Sequence, residues 1–181
     1  MKLFRLISIA LLTLSTSLAS ANLLDRGIIG GVGGIGIGID DGIGICGAYV
    51  ANQMTAPIKN SNDLDVLTKN PSFLALEKYD QDKFLKSLTF NKQGELTSFN
   101  YQVLNNVSFA KSYEVLSLFG QQHLASHLLT PMFETEKDSV LYEFAATAYF
   151  MCDDSRDQKG YRCAGIGNCK KSIGNICMSS C

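Results

Sequence analysis

His123 and His127 are the side chains of this 181-residue chain best suited to bind a metal ion or act as a general base. On an α-helix, residues four positions apart share one face, so these imidazoles could bind one Zn²⁺ ion together. The intervening Leu-Ala-Ser lacks the glutamate of the His-Glu-x-x-His zinc-protease motif, so no general base is built in. Helical packing beside Leu124 and Leu128 explains the same spacing, and the sequence predicts no catalytic residue, no cofactor and no resident metal.

The cysteines are the second chemically capable group, since five of the six lie between Cys152 and Cys181. A short segment with few large apolar side chains cannot fold unaided, so in an oxidising compartment this pattern predicts disulfides. A zinc site needs two close cysteine pairs, and only Cys177 and Cys181 have that spacing. Because five is odd, the simplest closed pairing joins Cys46 to one of the five, with the connectivity left open. The candidates for disulfide bonding are Cys46, Cys152, Cys163, Cys169, Cys177 and Cys181.

Two acidic clusters complete the candidates for chemistry. The acidic residues at positions 134–138 precede or begin a predicted helix, where negative charge interacts favourably with the helix dipole. Those at positions 153–157 lie in a predicted solvated connector, although three neighbouring aspartates could hold a calcium ion weakly. Both clusters are therefore interpreted as structural or solvated groups.

A glycine-rich tract, residues 27–47, contains ten of the sixteen glycines. Isoleucines at odd positions alternate with glycines, which predicts either a β-ribbon or a flexible leader that orders against a partner. Gly31-x-Gly33-x-x-Gly36 formally matches a dinucleotide-binding fingerprint, but so dense a glycine content produces such a match by chance. Glycines at every fourth position would permit membrane association or self-association, although two aspartates interrupt that stretch.

The composition limits the classes of protein that this chain can belong to. It is 46% hydrophobic and 18% charged, with a formal charge of −1 and a mean hydropathy of +0.07. That supply of apolar side chains predicts a packed core rather than a disordered chain. The chain lacks the clustered basic excess that phosphate backbones attract, so no nucleic-acid partner is predicted.

Residues 1–21 have the pattern of a secretory signal peptide. Two basic residues precede the charge-free run 6–18, and small side chains occupy Ala19 and Ala21. The apolar run is shorter than the roughly 20 residues that a transmembrane helix needs. Cleavage is therefore predicted between Ala21 and Asn22, which makes the mature protein periplasmic or extracellular. Charges interrupt every later apolar stretch, so no transmembrane span is predicted after cleavage.

The region from residue 62 to residue 151 has the composition of a helical globular domain. Capping residues, apolar spacing and helix-ending glycine or proline predict its helices. In the last of these, apolar residues from Val140 to Met151 recur at helical spacing and predict a buried stripe. The predicted helices run from Ser72 to about Thr89, from Ser108 to Gly120, from Gln121 to Leu129 and from Glu134 or Asp138 to Met151.

One strand is predicted in this region, because Phe99, Tyr101 and Val103 alternate with polar residues. A single strand needs a partner, and the glycine-rich tract could supply it. In the cysteine-rich segment, the repeated Ile-Gly-Asn sequences predict two similar turns at Gly167 and Gly174.

These signals predict a mainly α fold with minor β structure. The expected divisions are a signal peptide (1–21), a Gly/Ile-rich leader and linker (22–61), a helical domain (62–151) and a disulfide-stapled tail (152–181).

The leading functional hypothesis is an exported, non-enzymatic protein that binds another protein or an envelope surface. An accessory role in an envelope assembly such as a secretion or conjugation apparatus would suit it. Self-association through the glycine-rich leader stays open. One alternative is a small secreted hydrolase that uses His123 or His127. Another is a secreted effector or toxin that acts on a host cell.

We expect the exported protein to begin at Asn22 and to contain no free thiol. Cleavage after the small residues determines its first residue, and complete pairing of the six cysteines removes every thiol. Intact mass spectrometry under non-reducing conditions, with and without an alkylating reagent, measures both properties. A mass that retains Met1, or one that rises by several alkyl groups, would contradict export with three disulfides.

Overall fold

The computed structural model describes residues 42–152 and 156–181. The predicted signal peptide, its cleavage site and residues 27–41 of the glycine-rich tract lie outside the described residues. The described residues contain seven α-helices, three short 3-10 segments and one four-stranded sheet. The helices are α1 (Gly42–Thr55), α2 (Leu64–Thr68), α3 (Pro71–Leu74), α4 (Lys78–Ser87), α5 (Phe109–Ser117), α6 (Ala125–Leu128) and α7 (Glu136–Cys152), and the strands are β1 (Thr89–Phe90), β2 (Leu96–Asn100), β3 (Gln158–Cys163) and β4 (Cys169–Cys177).

The sheet is antiparallel, with the strand order β1-β2-β4-β3. About 53% of the residues are helical and 17% lie in strands, and the strands form a separate four-stranded sheet. The prediction of a mainly α fold is therefore confirmed only in part. Strand β2 pairs with β4 through Phe99 opposite Ile176 and Asn100 opposite Asn175. The residues beyond the predicted boundary at 152 therefore supply two of the four strands, including a central one.

The predicted partner of β2 was wrong. Its neighbours are β1, reached through the turn at Asn91–Gly94, and β4. The strand also ends at Asn100, because the chain then enters a 3-10 segment, Gln102–Asn106, which holds Val103. The alternation of apolar and polar residues that predicted a strand up to Val103 therefore continues by chance into the 3-10 segment.

The end of the glycine-rich tract, Gly42–Gly47, is helical rather than extended, so the β-ribbon prediction is wrong for these residues. They form the first half of α1, which contacts α7 and is bonded to it through Cys46 and Cys152. A tertiary attachment can outweigh the poor helix propensity of glycine, which amounts to about 1 kcal/mol per residue. On the other side of α1, a Cβ at Gly120 would lie 2.7 Å from Gln53 Cα, so the glycine that follows α5 permits close packing.

The helix predicted from Ser72 to Thr89 is two helices, α3 and α4, and Ser72 does not cap either of them. Asn70 caps α3, because its side chain accepts a hydrogen bond from the Phe73 N–H at 3.0 Å. Ser72 instead donates a hydrogen bond of 2.6 Å to the Glu114 carboxylate on α5. The chain breaks between the helices at residues 75–77 and so turns both Phe73 and Phe84 into the core.

The core lies between the sheet and the helices α3 to α7. Phe84 is at its centre, with ring centroids 5.9 Å from Phe73, 6.0 Å from Phe99 and 6.3 Å from Phe119. Aromatic pairs at these tilted geometries add to the free energy gained by burial. The other fully buried large apolar side chains are Phe109, Leu67, Leu104, Leu116, Leu124, Ile176, Val103 and Val115.

The boundaries predicted for α5 and α7 are confirmed to within a few residues. The helix predicted from Gln121 to Leu129 is instead a 3-10 segment, Gln122–Leu124, followed by the four-residue helix α6. The buried stripe predicted on α7 was partly wrong. Leu141, Ala145 and Ala148 are buried, whereas Val140 is 54% and Met151 is 52% exposed. Helix α7 packs on α5 and α6 through a narrower face than the apolar spacing indicates.

Asp138 ties together the first turns of α5 and α7. It is 1% exposed. One carboxylate oxygen accepts a hydrogen bond of 2.6 Å from the Ala110 N–H, and the other accepts bonds from the N–H groups of Glu134 and Thr135 and from the Thr135 hydroxyl. This carboxylate replaces the predicted cap of α5, because Ser108 makes no side-chain capping bond. Burial opposes ionisation, but the bonds from Ala110 and Thr135 outweigh it and hold the pKa of Asp138 below its ordinary value.

We expect Asp138→Asn to lower the free energy of unfolding by about 2–3 kcal/mol at neutral pH, because an amide nitrogen would face backbone N–H donors. The lowered pKa makes the Asp138 contribution complete above the unfolded-state pKa of about 4 and lost as the pH falls below it. Urea titrations at several pH values measure both effects.

The control is Glu136→Gln, since Glu136 is an exposed acidic residue in the same first turn. This variant should change stability by less than about 0.5 kcal/mol. Equal losses in the two variants would show that Asp138 acts only through the helix dipole.

Candidate functional site

His123 and His127, the predicted metal-binding or catalytic pair, lie in different environments. His123 belongs to the 3-10 segment Gln122–Leu124 and is 3% exposed. His127 is exposed on α6 and stacks on Tyr149, with ring centroids 4.5 Å apart. A 3-10 segment turns faster per residue than an α-helix, so the spacing of four does not keep both imidazoles on one face. The prediction of a shared helical face is therefore wrong.

The space beside His123 is too small to hold a substrate. Tyr113, Gln122 and His123 line a cavity of about 10 Å³, close to the minimum for one water molecule. Burial raises the pKa of Tyr113 to about 12, so its hydroxyl stays protonated at neutral pH. This cavity offers no room for hydrolysis of a bound molecule.

The acidic clusters hold structural contacts. Asp138 caps two helices, and Glu134 lies 3.6 Å from the Lys111 ammonium. Asp157 accepts a hydrogen bond of 2.7 Å from the Ser179 N–H. The other two aspartates of the weak calcium hypothesis, at positions 153 and 154, lie outside the described residues.

Across residues 42–152 and 156–181, one group of three potential metal-ligating side chains lies close together. The sulfur atoms of Cys163, Cys177 and Cys181 are within 4.8 Å of one another. All three belong to disulfides, so none is a thiolate that could bind a metal ion.

All six cysteines are paired. Cys46 is joined to Cys152 across 106 residues, the kind of pairing that the odd count in the tail favours. In the chain-entropy model, closing so long a loop contributes about 4–5 kcal/mol to the free energy of unfolding. The remaining bridges, Cys163–Cys181 and Cys169–Cys177, both lie in the tail. Three disulfides place the protein in an oxidising compartment outside the cytoplasm, periplasmic or extracellular.

The tail forms a hairpin of β3 and β4, which we call the clamped hairpin (residues 158–181). One disulfide joins Cys163, the last residue of β3, to Cys181. The other joins Cys169 and Cys177, the two ends of β4. Between Lys159 and Tyr161 of β3, the paired residue on β4 moves from Ile176 to Lys171. Residues 172–175 therefore leave the ladder with β3 and form a second turn inside β4.

Each of the two turns of the clamped hairpin carries an exposed isoleucine. The two predicted turns are confirmed, since Gly167 has a φ of 67° and Gly174 a φ of 80°. Ile166 is 84% and Ile173 is 82% exposed. The sequence analysis predicted the turns but not this exposure, although an isoleucine directly before a left-handed glycine occupies the tip of its turn. Among the described residues, only Phe150 is a more exposed large apolar side chain.

The clamped hairpin is also strongly cationic. It contains four basic side chains and no acidic one, and Arg156 and Asp157 directly precede it. The basic side chains are all exposed, and Arg162 and Lys170 lie directly opposite each other on β3 and β4. The four basic residues are Lys159, Arg162, Lys170 and Lys171.

The chain matches no known family model, no curated protein and no solved structure. In the part of the chain that the structure describes, no helix is both long enough and apolar enough to cross a bilayer.

We expect Gly167→Ala and Gly174→Ala to destabilise the protein to different extents. Both alanines must adopt a positive φ, which costs about 1–2 kcal/mol. At Gly167 a new Cβ meets nothing within 4 Å, whereas at Gly174 it lies 3.0 Å from the Gln102 Cβ and 2.5 Å from the Gln102 Oε1. Gly174→Ala should therefore cost more, as measured by denaturant unfolding without reductant.

The second change Gln102→Ala should lower the cost of Gly174→Ala towards that of Gly167→Ala but not fully, because it removes the contact with the Gln102 Oε1 and leaves the one with the Gln102 Cβ. Equal costs in the two single variants would contradict the close packing of the second turn against Gln102.

Proposed function

We propose that this chain is an exported, non-catalytic binding protein that docks on an anionic lipid surface of the envelope through its clamped hairpin. The observation that carries the proposal is the presence of two exposed isoleucines on a rigid, cationic hairpin. The three disulfides support a place of action outside the cytoplasm.

The apolar part of the argument concerns Ile166 and Ile173. Leaving either side chain in water forgoes about 1.5–3 kcal/mol that its burial would yield. The flanking turns are held by Cys163–Cys181 and Cys169–Cys177 and by a hydrogen bond of 2.8 Å from the Gly167 N–H to the Cys181 carbonyl. Since the turns are already ordered, inserting the isoleucines into a lipid interface costs little further conformational entropy.

Basic side chains supply the electrostatic attraction, chiefly Arg162, Lys170 and Lys171, because Lys159 is bonded to the His127 carbonyl at the other end of β3. A lysine or arginine near an anionic leaflet contributes about 1 kcal/mol to binding. Lys170 and Lys171 lie between the two turns in the sequence and, as neighbours on β4, point to opposite faces of the strand, so each face next to the turns carries a cation. Proteins that attach reversibly to a lipid surface commonly insert apolar side chains and place basic side chains beside them.

The hydrolase alternative is less well supported. His123 is buried beside a cavity of about 10 Å³, and His127 is stacked on Tyr149. A general base must reach a bound substrate, and among residues 42–152 and 156–181 neither arrangement shows a substrate site next to a histidine.

We expect the oxidised protein to sediment with vesicles that contain phosphatidylglycerol and not with vesicles of pure phosphatidylcholine. The double variant Ile166→Ser/Ile173→Ser should weaken binding at least tenfold, because about 1.4 kcal/mol corresponds to tenfold in affinity. Lys170→Glu/Lys171→Glu should weaken it by about 30-fold or more. Vesicle cosedimentation at low and high salt measures these effects.

The matched controls are Leu74→Ser and Lys137→Glu, which alter an exposed leucine on α3 and an exposed lysine on α7. They should bind vesicles as the parent protein does. No binding to anionic vesicles, or equal losses in hairpin and control variants, would overturn the proposal and return attention to a protein partner.

A further inference from the structure

A cleft of about 480 Å³ opens between α4 and the sheet, away from the histidines. Its volume lies in the range of small-molecule sites, which is about 300–1,000 Å³. Tyr79, Lys83 and Lys86 from α4 form one wall. Arg162 of β3 and Asn175 of β4 form the other wall, and Ser98 and Asn100 of β2 lie on the floor. Thr89 of β1 also lines the cleft, which is thus built by five elements that come together only in the folded chain.

The walls of this cleft carry a positive charge that the described residues do not neutralise. Lys83, Lys86 and Arg162 form no ion pair with any described carboxylate. The acidic residue of the cleft, Asp82, lies 3.1 Å from the Lys78 ammonium. Three cations from two elements around one concave space attract an anion more strongly than isolated surface lysines do.

The floor of the cleft contains a buried acceptor without a donor. Asn100 is 6% exposed, and its Oδ1 has no hydrogen-bond partner among the described residues. An unsatisfied buried polar group costs about 1–3 kcal/mol. Asn100 lines the cleft, so a ligand hydroxyl that reaches this covered oxygen from the cleft would satisfy it. Beside it, the Asn175 amide nitrogen donates to Ser172 Oγ at 2.9 Å, so the floor already holds a small polar network.

We infer that this cleft binds an acidic saccharide, a polyhydroxylated ring that bears a carboxylate or a phosphate. The anionic group would lie among Lys83, Lys86 and Arg162, and a ring hydroxyl would face Asn100. Tyr79 is 74% exposed at the rim and offers an aromatic surface for the apolar face of a sugar ring. An inorganic anion would contact the three cations, but it has no hydroxyl to donate to Asn100 and no apolar ring face to pack on Tyr79.

The test is calorimetric titration of the oxidised full-length exported protein with four probes and no vesicles. The probes are a uronic-acid disaccharide, a hexose 6-phosphate, the neutral counterpart of the disaccharide and inorganic phosphate. We expect at least one acidic sugar to bind ten or more times tighter than both the neutral sugar and inorganic phosphate. The preferred probe identifies the carboxylate or the phosphate as the natural anionic group.

Two variants locate the site. Lys83→Gln/Lys86→Gln should weaken binding of the acidic sugar at least about tenfold. Tyr79→Ala should weaken the acidic sugar but leave the weak binding of inorganic phosphate unchanged. The control is Lys92→Gln/Lys137→Gln, which removes two exposed lysines elsewhere and should change nothing.

Four results would overturn the inference: no acidic sugar binds, the neutral sugar binds equally well, inorganic phosphate binds as tightly as either sugar, or the Lys83 and Lys86 changes have no effect. The inference does not rest on lipid docking. The cleft variants leave Ile166, Ile173, Lys170 and Lys171 intact, so vesicle binding and sugar binding can fail separately.

Discussion

The pairing of β2 with β4 is the constraint on which the rest of the structure depends. Every residue of β2 is buried, and buried backbone groups need hydrogen-bond partners on both sides of the strand. Strand β1 is only two residues long, so most of that requirement falls on β4. The Ser98 hydroxyl adds a bond of 2.6 Å to the Ile176 carbonyl, across 78 residues of chain. The cysteine-rich tail is therefore part of the core, and the core holds the clamped hairpin in place.

The parts of the fold that the sequence predicts well are those with local signals. Gly120 lies just after α5 and Pro131 just after α6. Each predicts the end of its helix, because glycine and proline change the backbone conformation of their own position in the chain. The partner of β2 depends instead on pairing over a long stretch of chain, which no local pattern encodes. The first residues of α1, Gly42–Gly47, lie in the tract predicted as a β-ribbon or a flexible leader, and their helix was missed for a related reason. The alternation of isoleucine and glycine is local, whereas its attachment to α7 through Cys46–Cys152 is not.

The candidate sites divide in the same way. The repeated Ile-Gly-Asn sequences identify both turns of the clamped hairpin, because a positive φ favours glycine wherever the turn lies. The histidine pair failed because its prediction assumed one continuous α-helix, and a 3-10 turn begins at Gln122. The cleft was missed altogether, since its cations come from α4 and β3, which are adjacent only in the folded chain. Asp138 had a readable signal, because Thr135-x-x-Asp138 follows the spacing of a capping box.

The order of the strands along the chain also bears on how such a protein leaves the cell. A polypeptide threaded through an export channel from its first residue presents β2 well before β4. Until β4 arrives, the backbone of β2 has only a two-residue neighbour and neither tail bridge can form, although both cysteines of Cys46–Cys152 precede β4 in the chain. The sheet and the tail therefore cannot close until almost the entire chain is present. Completion of the core and oxidation of the tail depend on the same last residues to arrive.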